Sequence, residues 1–208
     1  MLYTNFDSPL GELLLVGDGR ALHGLYMQEG RTAIRVDAGW EAAEEPFAEV
    51  RAQLADYFAG RRTAFDVPLA MAGSPFQRRV WNALQVIPHG ETISYGEQAR
   101  RIGPPATARN VGSANGRNPI SVIVPCHRVI GADGSLTGYG GGLERKRFLL
   151  DLEAGVLALG ASAERPCFGP SLKRARSPLA SAGALRLPLR RSRLRPSFPR
   201  PASPSRSG

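Results

Sequence analysis

The chain has 208 residues, enough for one or two small domains with proper cores, and no apolar run in it is long enough to span a bilayer. It opens without a charged-then-apolar leader, and its two cysteines, Cys126 and Cys167, cannot make a disulfide framework, so a reducing, cytoplasmic setting is expected. The formal charge of +9 is unevenly spread.

Residues 154–208 carry eleven Lys/Arg against one acid, whereas residues 1–153 carry sixteen against seventeen. Within that nearly neutral part, the first 73 residues have six against eleven and the next eighty have ten against six. An acidic front and a basic middle fit a middle section that binds a polyanion, although solvated charge alone gives such imbalances too. The histidines are His23, His89 and His127, and no His/Cys pair has zinc-site spacing, so no metal is expected.

Residues 1 to about 36 read as a β-meander: "LYTNF", "ELLLVGD" and "ALHGLYM" are strand-like and are separated by turn-forming "DSPLG" and "DGR". Phe47, Val50, Leu54, Tyr57 and Phe58 recur at helical spacing from Pro46 to Ala59, and Gly60 stops that helix. "AFDVPLA" reads as a further strand. No catalytic constellation stands out before residue 73, and this front part reads as a small α/β scaffold.

Ser74-Pro75-Phe76-Gln77 supplies an N-cap, a proline at the first helical position and a capping-box glutamine. The helix it opens lines up Phe76, Val80, Ala83, Leu84 and Ile87 before Pro88-His89-Gly90 ends it. Ser94-Tyr95-Gly96-Glu97 opens a second, short helix with Ala99 and Ile102 inward, and Gly103-Pro104-Pro105 breaks it. A third helix is expected from about Ala106 to Asn115. The last two form a helix-turn-helix candidate, an arrangement that serves plain packing as readily as DNA binding. "ATARNVGSANG" is nearly all small residues, with Arg109 standing out, so its backbone can approach a surface closely while one long cation reaches past it.

"ISVIV" after Asn118-Pro119 has the composition of a buried strand. "GADGSLTGYGGGLE" is a glycine-rich loop without the GxxxxGK[ST] layout of a phosphate cradle. "LERKRFLLDLE" reads as a helix with Leu143, Phe148, Leu149 and Leu152 inward and its charges solvated. Beyond Gly155 the Arg/Pro/Ser-rich sequence lacks periodicity and is expected to be disordered, either adding nonspecific affinity for nucleic acid or serving no function.

A lone Cys after an apolar run is often inert packing. Here Pro125 fixes the backbone before Cys126, and His127 and Arg128 follow at once, so groups that can deprotonate the thiol or stabilise its thiolate are adjacent. A Cys–His hydrolase remains open on these residues, although nothing marks an oxyanion hole.

"PCHRVIG", preceded by "GSANGRNPISVIV" and followed by "GSLTGYGGGLERKRFLLDLE", resembles the active-site region of the O6-alkylguanine-DNA alkyltransferases, the methylated-DNA–protein-cysteine S-methyltransferases. The resemblance is close from Ser74 to Glu153, looser over "DSPLGELLLVGDG", and stops near Gly155. It implies an α+β protein: a ribonuclease-H-like α/β domain over residues 1–73, then a mostly helical domain over 74–155 with a winged-helix-like helix-turn-helix, then the tail at 156–208. The implied activity is single-turnover repair of O6-alkylguanine, and of O4-methylthymine, by transfer of the alkyl group to a cysteine without metal or cofactor. The implied partner is double-stranded DNA, held through its minor groove with the damaged base flipped out, and a monomer suffices.

Carried over by position, the resemblance makes Cys126 the acceptor, His127 its base through a water, and Glu153 the group that orients His127. Tyr95 helps extrude the nucleotide and donates to the departing base, and Asn118 ties the recognition helix to the active-site strand. Thr107, Ala108, Arg109 and Gly112 would face DNA, with Arg109 filling the space of the flipped base. Arg128 would either contact DNA or form a structural salt bridge. Ser121, Val129 and Tyr139 would wall the pocket. Two positions depart from the family's pattern: Asn110 stands where alanine is usual, on or beside the DNA-facing surface, and Ser121 where some relatives have proline. A DNA-binding regulator that uses Cys126 as an alkylation sensor is the competing reading.

Overall fold

The computed structural model describes residues 1–29 and 33–156; the sequence beyond, including Cys167 and nearly all of the basic tail, lies outside the described residues. The front begins with three antiparallel strands, β1 (Leu2–Ser8), β2 (Gly11–Gly17) and β3 (Leu22–Met27). A two-residue strand, β4 (Glu41–Ala42), adds to β1 in parallel, giving the order β3-β2-β1-β4. The expected meander is therefore present. Leu13, Leu15, Leu22, Leu25 and Met27 are buried, and α1 (Ala48–Phe58) contributes Val50, Leu54, Tyr57 and Phe58 to the same core.

Gly60 ends α1 as its position implied: at φ +70° it sits in the left-handed region, its amide bonds to Tyr57 O, and the Arg61 amide reaches Asp56 O. That pair of bonds is a Schellman cap. "AFDVPLA", expected as a strand, makes only an isolated bridge, Leu22 to Leu69, with Leu22 and Ala70 amides bonding across the contact. Pro68 lacks an amide donor, so the segment cannot extend a ladder there.

The rear is mostly helical. Ser74 and Gln77 close a reciprocal capping box at the start of α2 (Pro75–Gln85), with Gln77 N donating to Ser74 Oγ at 3.2 Å and Ser74 N to Gln77 Oε1 at 2.8 Å. A two-residue strand, β5 (Ile93–Ser94), runs directly into α3 (Tyr95–Ile102), and α4 (Ala108–Asn115) follows. Ser94 caps α3 by accepting from Glu97 N, but Glu97 does not return the bond; its carboxylate pairs with Arg100 and Arg101. Buried polar groups fix the three helices to one another. Trp81 Nε1 donates to Ala114 O at 2.9 Å, Gln98 Nε2 to Val80 O at 3.1 Å, and Asn115 Nδ2 to Gln98 Oε1 at 2.8 Å. Each is a directional bond in a buried setting, so together they specify one packing of the helix pair.

"ISVIV" is not a strand. Only Ile120 bridges, to Leu25 of β3, and the chain then turns. Ile123 N bonds to Ser121 O at 2.9 Å around Val122, whose φ is +70°, and Cys126 N bonds to Val124 O at 2.9 Å around Pro125 at φ −82°, ψ 66°. These are successive γ-turns of opposite hand. The apolar residues are buried as their composition implied, with Ile120, Val122 and Val124 at 0%, 1% and 0% exposure, but they are buried in a turn. Asn118 takes the place of a strand neighbour: its Nδ2 donates to Val124 O at 2.7 Å and its Oδ1 accepts from Ile120 N at 3.0 Å.

A 3-10 turn, Cys126–Arg128, leads into β6 (Val129–Ile130), which pairs in parallel with β5 through Ile93–Val129 and Ser94–Ile130. The last helix, α5 (Leu143–Glu153), ends in a second Schellman cap at Gly155, φ +67°. Its inward face differs from the expected one. Leu143 is 47% exposed, whereas Arg145, Lys146 and Glu153 are buried beside Leu149 and Leu152. The buried charges have partners, since loop carbonyls and other charged groups face the helix on that side.

Candidate active site

The β5–β6 ladder sets the geometry of the site. It places the start of α3, and so Tyr95, beside the segment that follows Cys126. Cys126 itself is 7% exposed. Burial pushes its thiol pKa up, while the Asn118 side chain and the Lys146 ammonium act in the opposite direction. The resting sulfur is therefore a thiol, and a nucleophile requires a base.

The next residue carries an imidazole. His127 is fully buried, with Nε2 2.8 Å from Glu153 Oε1. A carboxylate at this distance fixes the tautomer: Nε2 carries the proton and Nδ1 keeps its lone pair. Nδ1 is buried and has no hydrogen-bond partner among the described residues. Burial depresses the His127 pKa against the pull of Glu153, so the imidazole rests neutral.

Glu153 is held from four sides. Arg128 Nε donates to Oε2 and Nη2 to Oε1, both at 2.8 Å; Tyr57 OH donates to Oε1 at 2.6 Å; the Gly90 amide reaches Oε2 at 3.2 Å. Burial alone would raise this carboxyl, but the bonds from His127, Arg128 and Tyr57 hold it well below the usual carboxylate range. It is an anion at any working pH. The remaining Arg128 donor, Nη1, goes to Ile87 O at 2.6 Å. Arg128 is thus 7% exposed and fully engaged: of its two expected roles the structure shows the structural salt bridge, with Glu153, and not a side chain turned out toward DNA.

Tyr95 is partly buried, with its hydroxyl 3.0 Å from both Thr137 O and Gly138 O of the glycine-rich loop. Burial raises its pKa, and the nearby Cys126 raises it further. Lys146 lies under this loop with no exposed surface, its Nζ donating to Val129 O at 2.6 Å and Thr137 O at 2.7 Å. Its ammonium stands 5.8 Å from the centre of the Tyr95 ring, within cation–π range, and burial lowers its pKa to about 8. Tyr139 is also in this region: burial, then Cys126, raise its pKa, and its hydroxyl has no partner among the described residues. Val129 is fully buried and Ser121 half-buried.

The outer face is built on α4. Thr107, Ala108 and Arg109 are exposed, and Arg109 makes no hydrogen bond or ion pair among the described residues. Gly112 lies under the Tyr95 ring: a Cβ there would stand 3.6 Å from it. Asn110, expected on or beside the DNA-facing surface, has its side chain turned into the helix start. Its Oδ1 accepts from Thr107 N at 2.7 Å while Thr107 Oγ1 accepts from Asn110 N at 3.3 Å, and its Nδ2 donates to Pro105 O at 3.2 Å. The departure from alanine is a capping box.

Two models of one protein family match the chain, each by a different part. The ribonuclease-like domain of 6-O-methylguanine DNA methyltransferase matches residues 1–71, and the DNA binding domain of 6-O-methylguanine DNA methyltransferase matches residues 75–155. The chain belongs to this family. Among similar proteins are the methylated-DNA–protein-cysteine methyltransferases of Methanosarcina acetivorans, 54% identical over 153 residues, and of Mycolicibacterium paratuberculosis, 56% identical over 151. These alignments cover 74% and 73% of this chain and 98% and 91% of the relatives. A Mycobacterium tuberculosis OGT solved in complex with DNA is 53% identical and superposes with a TM-score of 0.70, covering 74% of this chain and 94% of that one.

In this methyltransferase chain the structure brings together Cys126, His127, Glu153, Tyr95, Asn118 and Tyr139, and it leaves Thr107, Ala108 and Arg109 on a separate exposed edge. Two residues of the site were not anticipated. Lys146 could have been found, because it shares a helical face with Leu149 and Glu153. Tyr57 lies 96 residues from Glu153 and carried no local signal beyond a helical core position.

Proposed function

We propose that this protein repairs O6-alkylated guanine in double-stranded DNA by moving the alkyl group irreversibly onto Cys126. The observation that carries the reading is the buried line of His127 and Glu153 behind a buried cysteine, in a chain of this family. The thiol proton passes through a water to His127 Nδ1, and the imidazolium that forms is stabilised by Glu153 across 2.8 Å. The Cys126 sulfur then bonds to the methyl carbon, in line, as the carbon–O6 bond breaks and its electron pair stays on guanine. Tyr95 donates its hydroxyl proton to the departing base, and Lys146, near that ring, favours the negative charge left behind. The product is a thioether with no easy hydrolytic exit, so each molecule acts once. O4-methylthymine fits the same chemistry.

The reaction needs the base outside the duplex. Arg109, exposed and unengaged on a helix of small residues, is suited to take its place in the stack, with α4 lying in the minor groove. Residues 1–73 act as the supporting domain, residues 74–155 as the domain that binds and reacts, and one copy suffices. A reducing compartment suits a thiol that must remain free.

The test is a duplex carrying O6-methylguanine with a labelled methyl group. Label should move to the protein and saturate at one per chain, and Cys126→Ala should abolish transfer while still binding the duplex. Duplex binding with the lesion left intact would overturn repair and favour an alkylation-sensing regulator.

A further inference from the structure

The described front of the chain contributes one polar group to the buried relay. Tyr57 is an inward residue of α1, 1% exposed, and its hydroxyl donates to Glu153 Oε1 at 2.6 Å, the same oxygen that His127 Nε2 meets at 2.8 Å. The tyrosine is itself held in place. Its ring packs edge-on against Phe58 at 5.4 Å between centroids, and against His89 at 6.2 Å. A hydroxyl fixed in this way at a shared acceptor has a chemical consequence. Each donor to Oε1 withdraws charge from it, and so weakens its hold on the His127 N–H.

We infer that Tyr57 is a positioning residue for alkyl transfer, which sets the basicity of His127 by sharing Glu153 Oε1 with it. The inference rests on the methyltransferase reading of Cys126 and His127. Other charged or titratable groups surround Tyr57, His127 and Glu153: Arg128 and Cys126 on the 3-10 turn, Lys146 on α5, Tyr139 on the glycine-rich loop and His89 after α2. Arg128 keeps Glu153 satisfied when the tyrosine hydroxyl is removed, since Nη2 still bonds to Oε1 and Nε to Oε2. Loss of the Tyr57 hydroxyl therefore leaves a more strongly accepting carboxylate facing His127. The imidazolium gains stability, and with it the thiolate of Cys126. Burial and Glu153 together keep the Tyr57 hydroxyl protonated, so it is a donor across the working range.

The test uses the full chain and free O6-methylguanine, which removes DNA binding from the readout. Tyr57→Phe keeps the ring and, because His127 must be neutral to accept the thiol proton, is expected to move the rising limb of the pH–rate profile to higher pH by about half a unit, roughly threefold in the equilibrium. Site-specific replacement of Tyr57 by a fluorotyrosine, a stronger donor, should move the limb the other way. Packing alone would leave both limbs where they are in the unaltered protein. A limb unmoved in both variants, or moved to lower pH in Tyr57→Phe, overturns the inference. The ¹⁵N titration of His127 provides a second readout that needs no transfer: its pKa should rise in Tyr57→Phe, and an unchanged value counts against the role. If the unaltered protein takes no methyl group, the repair reading fails, and the imidazole titration still decides the case of Tyr57.

Discussion

Asn118 illustrates how much one side chain can decide. Both of its amide atoms are spent on the turn that presents Cys126, one on Val124 O and one on Ile120 N, and its own amide bonds to Asn115 O at the end of α4. The turn stores strain, since Val122 is β-branched and holds φ +70°, a conformation that costs on the order of 1–3 kcal/mol. Asn118→Ala leaves the buried Ile120 amide without a partner and Val124 O with the Cys126 amide alone, so it should lower stability by about 1–3 kcal/mol. The urea midpoint checks this: it should fall with little change in slope, and an unchanged midpoint would contradict the clamp. Cys126 and His127 were legible because they are adjacent and chemically unusual together, whereas the role of Asn118 came from the family resemblance alone. Lys146 was passed over because a charge on an amphipathic helix is taken as solvated, and only the carbonyls of Val129 and Thr137 reveal otherwise.

The helix pair can be tested separately from the chemistry. Helix starts were readable at Ser74 and Ser94 because capping is local, whereas the third helix was placed from about Ala106 without a cap, and the Thr107–Asn110 box that starts it shows that an unfamiliar residue can serve the same end. "ISVIV" misled because burial and β-branching mark a buried segment without fixing its backbone; the turn depends on an asparagine two positions earlier. Arg109 projects from the first turn of α4 and makes no internal bond among the described residues. Filling the space of an extruded base offsets an unstacking cost of a few kcal/mol, so Arg109→Ala should slow repair in duplex by ~10-fold or more. Reaction with free O6-methylguanine should change little, and equal losses in the two assays would contradict the role.

At the scale of the molecule, the relay ties activity to the packing of the front against the rear. Ile120 bridges to Leu25, and Tyr57 reaches Glu153. Such long-range pairings leave no spacing pattern, which is why the front read as a plain scaffold. The buried ionisable groups also set the response to acid. Glu153 and His127 both have folded pKa values below their unfolded ones, so the folded state binds fewer protons than the unfolded chain. Stability from His127 is complete above the ordinary histidine pKa, and that from Glu153 above the ordinary carboxylate pKa; each is lost as pH falls toward the depressed folded value. Urea midpoints should therefore decline from pH 7 downward, in a histidine step and then a carboxylate step. His127→Asn should remove the first step, and a first step that survives would place its origin elsewhere. The most direct test of the whole account is the mass of the peptide that carries Cys126 after reaction with one equivalent of O6-methylguanine duplex. A single methyl group added on Cys126 and none on Cys167 is the expected result; a methyl group elsewhere, or an unmodified peptide beside repaired DNA, would contradict repair through Cys126.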